Sequence, residues 1–225
     1  MAARIPEILP NLSTIDRAVP FHLVDHPLAH DALAELRDVR TTSPAFRAAA
    51  HRISLIVAAE ALRDLPTEAD TVATPIGPAD ARIVRADVVI VPVLRAGLGM
   101  VDSILELVPR ARVGHIGLQR DEETAAASRY YARLPPGLAA SVVLLADPML
   151  ATGGSAVAAV NIIKGAGVRS ILMMSVVASP EGVAAMTAAH PDVHIYSPAL
   201  DAALNPKKFI VPGLGDFGDR LYGTI

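Results

Sequence analysis

Apolar residues along the chain fall into two kinds of segment. Short continuous runs, rich in β-branched residues, occur at 86–94 (ADVVIVPVL), 112–118 (RVGHIGL), 141–147 (SVVLLAD), 170–178 (SILMMSVVA) and 192–198 (DVHIYSP). Such runs predict strands buried on both faces. Longer segments carry helical spacing instead. Leu28, Ala32, Leu36 and Val39 share one face of "PLAHDALAELRDV", and Phe46, Ala50, Ile53 and Val57 share one face of "AFRAAAHRISLIVAAEALRDL". Ser43-Pro44 starts that second helix, a cap followed by proline at the first helical position. "AGLGMVDSILELVP" predicts a helix with Leu98, Val101, Ile104, Leu105 and Val108 inward, stopped by Pro109. Further helices are expected at Gly153–Lys164 and Pro180–Ala189.

Strands alternating with helices predict an α/β fold: a mainly parallel sheet with helices on both faces. In such sheets ligands bind at the carboxyl ends of the strands, so the residues following each strand are the candidates for chemistry. Pro6, Pro10 and Pro20 interrupt regular structure near the start. Residues 1–25 therefore read as an extension, and 26–225 as one domain.

Composition narrows the options. Of 225 residues, 52% are hydrophobic and 19% charged, an ordinary globular balance. The net charge of −3 with no basic stripe argues against nucleic acid. The 4% aromatic content argues against base-stacking platforms. No apolar run approaches membrane-spanning length. Cysteine is absent, which excludes disulfide and thiolate chemistry and fits a cytoplasmic protein. His22, His26 and His30 are four apart, but Pro27 interrupts them and no acid completes a metal set. His115, in an apolar strand, reads as a core residue.

The richest chemistry lies in "VVLLADPMLATGGSAVAAV", residues 142–160. A strand end, a hydroxyl-and-glycine loop and a helix start follow one another. The loop exposes unpaired N–H groups, the helix dipole adds positive potential, and Thr152 and Ser155 add hydroxyl donors. This is the chemistry of a phosphate cradle. It is neither a Walker loop nor a dinucleotide fingerprint. Asp147 precedes it, placed for sugar hydroxyls or a sugar-bound Mg²⁺. Acid plus cradle suggests a ribose phosphate; a plain β–α turn of small residues is the other reading.

"DPMLATGGS" (147–155) resembles the phosphoribosyl-diphosphate motif of phosphoribosyltransferases, in the form found in uracil phosphoribosyltransferases. The resemblance runs from His26 to Thr224. It includes "VPVLRAGLGM" (91–100), "RDEET" (120–124), "PEGVAAM" (180–186) and the tail "LNPKKFIVPGLGDFGDRLYGT" (204–224). It implies that Arg95, Arg120, Asp147, Pro148, Met149, Leu150, Ala151, Thr152, Gly153, Gly154, Ser155 and Asp216 bind phosphoribosyl diphosphate. Ile210, Gly215, Asp216 and Phe217 are implied for uracil, and Asp147, Arg120 and Asp216 for catalysis. Mg²⁺ is expected mainly on the substrate's diphosphate, with Asp147 a possible ligand.

The resemblance also implies a mobile hood over the segment 118–137, where Arg120 closes on the diphosphate. The charged residues Asp121, Glu122 and Glu123 could instead serve a dimer contact. A homodimer or homotetramer and a GTP activator are further implications. Two places depart from the family's usual pattern. Phe217 stands where a small residue is common, and Lys208-Phe209 stands where Gly-Tyr is usual. They motivate a phosphoribosyltransferase for another base as an alternative. A non-catalytic phosphoribosyl-diphosphate-binding regulator is a second.

Overall fold

Eight strands make one sheet in the computed structural model, which describes residues 20–120 and 127–224. The first half of the chain contains β1 (Phe21–Leu23), α1 (Pro27–Arg37), α2 (Ser43–Ala61), β2 (Thr67–Ala73), β3 (Pro78–Val84), β4 (Val88–Leu94) and α3 (Leu98–Leu107). Then come β5 (Arg112–Val113), β6 (His115–Arg120), β7 (Ala127–Arg133), β8 (Val142–Ala146), β9 (Met149–Leu150) and α4 (Gly154–Gly165). The last part holds β10 (Ser170–Met174), β11 (Val177–Ala178), α5 (Pro180–Ala189), β12 (His194–Ser197), β13 (Ala203–Leu204), β14 (Ile210–Val211) and α6 (Phe217–Tyr222).

The sheet order is β1-β12-β10-β8-β4-β6-β7, with β5 also paired to β4. Every pairing is parallel except β6 with β7. The apolar runs are continuous because both faces are covered. Along β4, Val89, Val91 and Val93 face the layer of α4 and α5, while Ile90 faces that of α1, α2 and α3. Along β8, Val143 and Leu145 go one way, Leu144 and Ala146 the other.

Four details differ from the patterning. The buried stripe of α1 is Ala29, Ala32, Leu33 and Leu36; Leu28 is exposed in the first turn, and Val39 lies beyond the helix end. Helix α3 turns Met100 and Ser103 inward with Val101 and Ile104, and leaves Leu98 partly exposed. The cap of α2 is Thr42 rather than Ser43. The run 170–178 breaks at Ser175, whose N–H donates to the Tyr196 carbonyl at 2.9 Å while its hydroxyl donates to that of Val177 at 3.2 Å. The chain there leaves the main sheet, and β11 pairs with β9 instead.

The patterning assigns nothing to residues 66–85. They form an antiparallel hairpin, β2 with β3, that pairs with no strand of the main sheet. Its surface is largely open, and Ile76 at the tip is 99% exposed. The last residues of the expected extension, Phe21–Leu23, pair in parallel with Ile195–Ser197 at the sheet edge. Within the expected hood, β7 returns antiparallel to β6. Residues 121–126 and the side chain of Arg120 lie outside the described residues, and with them the hood and dimer-contact readings of Arg120, Asp121, Glu122 and Glu123.

The three early histidines diverge. His22 sits on β1 beside His194, His26 caps α1, and His30 lies within α1. His115 is half-buried rather than in the core.

Candidate active site

Strands β4 and β8 are neighbours, and their carboxyl ends open into one cleft of about 180 Å³. Arg95, Ala96 and Leu118 line one side. Asp147, Met149, Leu150, Ala151, Thr152, Gly153 and Ser155 line the other. The walls approach at backbone level: a Cβ on Gly97 would stand 2.3 Å from the carbonyl oxygen of Ala146.

The phosphate-cradle loop is tied to the strands and helix behind it. Pro148 is buried, and its carbonyl accepts from Val176 and Val177 at 2.9 and 3.1 Å. Leu150 donates its N–H to the Ser175 hydroxyl at 3.2 Å and accepts from the Ser179 N–H at 3.0 Å. The Ser179 hydroxyl donates to the Ala151 carbonyl at 2.6 Å while accepting from Gly182 at 3.0 Å. Gly182 is needed for this approach, because a Cβ there would lie 2.4 Å from the Ala151 oxygen.

The loop ends at Gly153, which has φ +79° and precedes α4. Gly153, at its N-cap, offers no side chain to cap it. The N–H groups of Gly154, Ser155 and Ala156 therefore begin it without an intrahelical acceptor, as the first turn of any helix does. The Ser155 hydroxyl has no partner among the described residues. Backbone donors, a free hydroxyl and the helix dipole together suit a phosphate dianion.

Asp147 is the acid of the cleft. Burial pushes its carboxyl up to about 6, and the N–H of Met149 at 3.4 Å compensates only weakly. Among the described residues it has no cationic partner. A carboxylate held this way gains from a ligand that brings hydroxyl donors or a cation. No group of three or more His, Cys, Asp or Glu that could hold a metal exists among the described residues. A carboxylate so placed fits a magnesium ion carried chiefly by a diphosphate, with Asp147 as a protein ligand.

Arg95 directly follows β4, with its side chain 60% exposed. Its Nη2 donates to Asp219 Oδ1 of α6 at 3.2 Å, and the Leu94–Arg95 peptide is cis. That contact links the cleft to the tail. Ile210 is buried on β14, which pairs with β13, and the Val211–Pro212 peptide is cis. Gly213 and Gly215 adopt φ +60° and +82°. Asp216 caps α6, accepting from the Asp219 N–H at 2.8 Å.

The side chain of Phe217 points away from the cleft. It is 1% exposed and packs edge-on against Phe46, with ring centroids 5.1 Å apart. Its bulk is core volume between α2 and α6. Ile210, Gly215, Asp216 and Phe217 do not line the cleft itself; they lie beyond its Arg95–Ala96 rim.

Sequence reasoning missed the residues that hold this tail. Arg37 and Asp201 form a largely buried, two-pronged pair at 2.6 and 2.8 Å. Arg220 donates to the carbonyls of Leu36, Leu214 and Asp38, and its guanidinium sits 4.6 Å over the Phe46 ring. One signal was present: Asp201 is a lone acid in the otherwise uncharged "YSPALDAAL".

Fold and cleft together are those of a phosphoribosyltransferase. A family model described as uracil phosphoribosyltransferase matches residues 23–224. A uracil phosphoribosyltransferase of Halalkalibacterium halodurans is 50% identical over 204 residues, covering 90% of this chain and 98% of that protein. One from Enterococcus faecalis is 47% identical over 205 residues, covering 91% and 98%. The solved structure of the AQ2163 protein from Aquifex aeolicus superposes with a TM-score of 0.86 at 35% identity, over 90% of this chain and 97% of that one. The chain belongs to the uracil phosphoribosyltransferase family. Among the described residues no helix is long and apolar enough to cross a membrane.

Proposed function

We propose that the protein transfers the phosphoribosyl group of 5-phospho-α-D-ribose 1-diphosphate to uracil, giving UMP and diphosphate in pyrimidine salvage. The observation that carries this reading is the cleft itself: an acid desolvated and without a cationic partner among the described residues, directly ahead of a helix start, facing an arginine. The loop 151–155 holds the 5′-phosphate through backbone N–H groups and the Thr152 and Ser155 hydroxyls. Asp147 takes the ribose hydroxyls. Arg95 exchanges Asp219 for the diphosphate, and Arg120 is the second arginine that the resemblance implies for it.

The bond from the anomeric carbon to the diphosphate oxygen breaks, the bond to N1 of uracil forms, and the N1 proton is released. Positive charge gathers on the ribose as the diphosphate leaves. Arg95 and Arg120 offset the leaving charge. Mg²⁺ on the diphosphate, with Asp147 as a protein ligand, would add to that neutralisation. The tail reads the base through backbone at Ile210, Gly215 and Phe217, with Asp216 orienting the ribosyl donor. A backbone-lined site suits a base with two carbonyls and two ring N–H groups, and rejects cytosine by leaving polar groups unpaired. The inward ring of Phe217 leaves that site its space.

A homo-oligomer, dimer or tetramer, fits the β2–β3 hairpin. A two-stranded hairpin is marginal alone in water, and an exposed one gains from a second copy of the chain. GTP activation follows from the resemblance alone. The test is UMP formation from uracil, phosphoribosyl diphosphate and Mg²⁺, with and without GTP, alongside sizing in solution. Full activity in both Asp147→Asn and Arg95→Ala would refute the reading.

A further inference from the structure

The tail loop between β14 and α6 is gripped at one residue, Gly213. The Gly213 N–H donates to Asp201 Oδ2 at 2.7 Å, and the Gly213 carbonyl accepts from Arg37 Nη1 at 2.7 Å. The same guanidinium reaches back to both Asp201 oxygens at 2.6 and 2.8 Å. One residue thus has its donor and its acceptor held by two opposite charges that also hold each other. The Asp201 side chain is 6% exposed and that of Arg37 25%, so water competes little. The N–H of Asp201 donates to Ala178 at 2.8 Å, which anchors the clamp to β11, the strand that also supports the phosphate loop. Arg220 adds a hold on the next carbonyl, Leu214, at 2.8 Å.

We infer that Arg37 and Asp201 are positioning residues for the nucleobase, setting base affinity without touching the base. Gly213 has φ +60°, and a Cβ there would fall 2.2 Å from the Ile210 carbonyl oxygen. The backbone is therefore folded tightly between Ile210 and Gly215, the two ends proposed to read uracil. A peptide free to rotate at Gly213 would swing both reading edges; a clamped one presents them in a single orientation. Bidentate charged hydrogen bonds have the directionality this requires. Lysine cannot replace Arg37, because one ammonium cannot span the carboxylate and the Gly213 carbonyl with the same fork geometry. The inference rests on the uracil reading of the tail.

The experiment measures Michaelis constants for uracil and for phosphoribosyl diphosphate in Arg37→Lys and Asp201→Asn, which keep a polar side chain of similar size, and in Arg37→Ala. Direct binding of phosphoribosyl diphosphate and thermal melting accompany the kinetics. The expected result is a KM for uracil raised tenfold or more in all three, with the phosphoribosyl-diphosphate constants within twofold of the parent. If Arg37→Ala does not fold, the two conservative variants decide alone. Equal shifts in both Michaelis constants, or folded variants with an unchanged uracil KM, overturn the positioning role and leave the uracil reading standing. A parent chain that binds phosphoribosyl diphosphate yet turns over no uracil overturns the base reading, and this inference with it.

Discussion

The two halves of the candidate site are built in opposite ways. The phosphate loop, residues 147–156, is a local object: a strand end, two glycines and a helix start, consecutive in sequence and tied to the neighbouring β–α unit. The base loop, residues 210–217, has little regular structure of its own. It is held by Arg37 and Asp201, by Arg220 reaching Leu36 and Asp38, and by an aromatic contact to Phe46. Asp201 is twelve positions from Gly213, but the contacts from Arg37, Leu36, Asp38 and Phe46 bridge more than 160 positions of chain. Anion binding needs mainly oriented N–H groups, which a helix start supplies wherever it occurs. Reading a base needs a fixed pattern of donors and acceptors, and an irregular loop keeps one only if other elements hold it.

The sharpest way to break this comparison is at Asp147. Asp147→Asn should lower kcat/KM about 100- to 1000-fold, the effect typical of removing one electrostatic contact to a transition state. The same variant should stabilise the unliganded protein at pH 7. The folded carboxyl titrates near 6, above its unfolded value near 4. Folding therefore favours the protonated acid, and stability falls as pH rises from about 4 to about 6. The loss at neutral pH is on the order of 1–3 kcal/mol. Melting curves of parent and variant between pH 4 and 8 should converge at the acid end and separate above 6. Parallel curves would show that Asp147 is not desolvated.

Gly182 tests whether the phosphate loop depends on its neighbour. Gly182→Ala drives a methyl group against the Ala151 and Leu150 carbonyls. The KM for phosphoribosyl diphosphate should rise about 10- to 100-fold, as displacement of a binding group by a fraction of an ångström does. The uracil constant should move much less. A uniform change in both would mean that the loops are one mechanical unit.

Phe217 tests the other side. Phe217→Ala removes a buried ring from the contact with Phe46 and should cost about 3 kcal/mol in chemical denaturation. The preference for uracil over cytosine should survive in the folded fraction. A changed base preference would place the ring's influence in the pocket rather than the core.

The smallest effect is expected at Lys208. It adopts φ +66°, a left-handed conformation that suits glycine. It also stands where the resembling family usually has glycine. Lys208→Gly should raise the denaturation midpoint by the equivalent of up to about 1 kcal/mol, with UMP formation unchanged.

The buried strands were legible because continuous apolar runs have few other uses in a domain of this size. Helix α5 matched its expected bounds, and the structure shows Ser179 capping it with Pro180 at its first position. The face of α1 was misread because Leu28 and Val39 fit a helical period as well as Ala29 and Leu33 do; only the packing against α2 separates the two stripes. The hairpin at 67–84 escaped notice because its strands are mostly solvent-facing, so hydrophobic alternation is faint. Departures in the tail suggested a changed base pocket, yet the added ring at Phe217 lies in the core.

By itself, then, the sequence determined the strand runs, the α/β class and the strand–loop–helix stretch proposed to hold phosphate, because each depends on residues adjacent in the chain. Only the tertiary structure decided that Arg37, Asp201 and Arg220 meet at the base loop, which way Phe217 points, and how strongly Asp147 is desolvated. Burial and long-range pairing are properties of what surrounds a residue, and that surrounding exists only once distant segments have packed together.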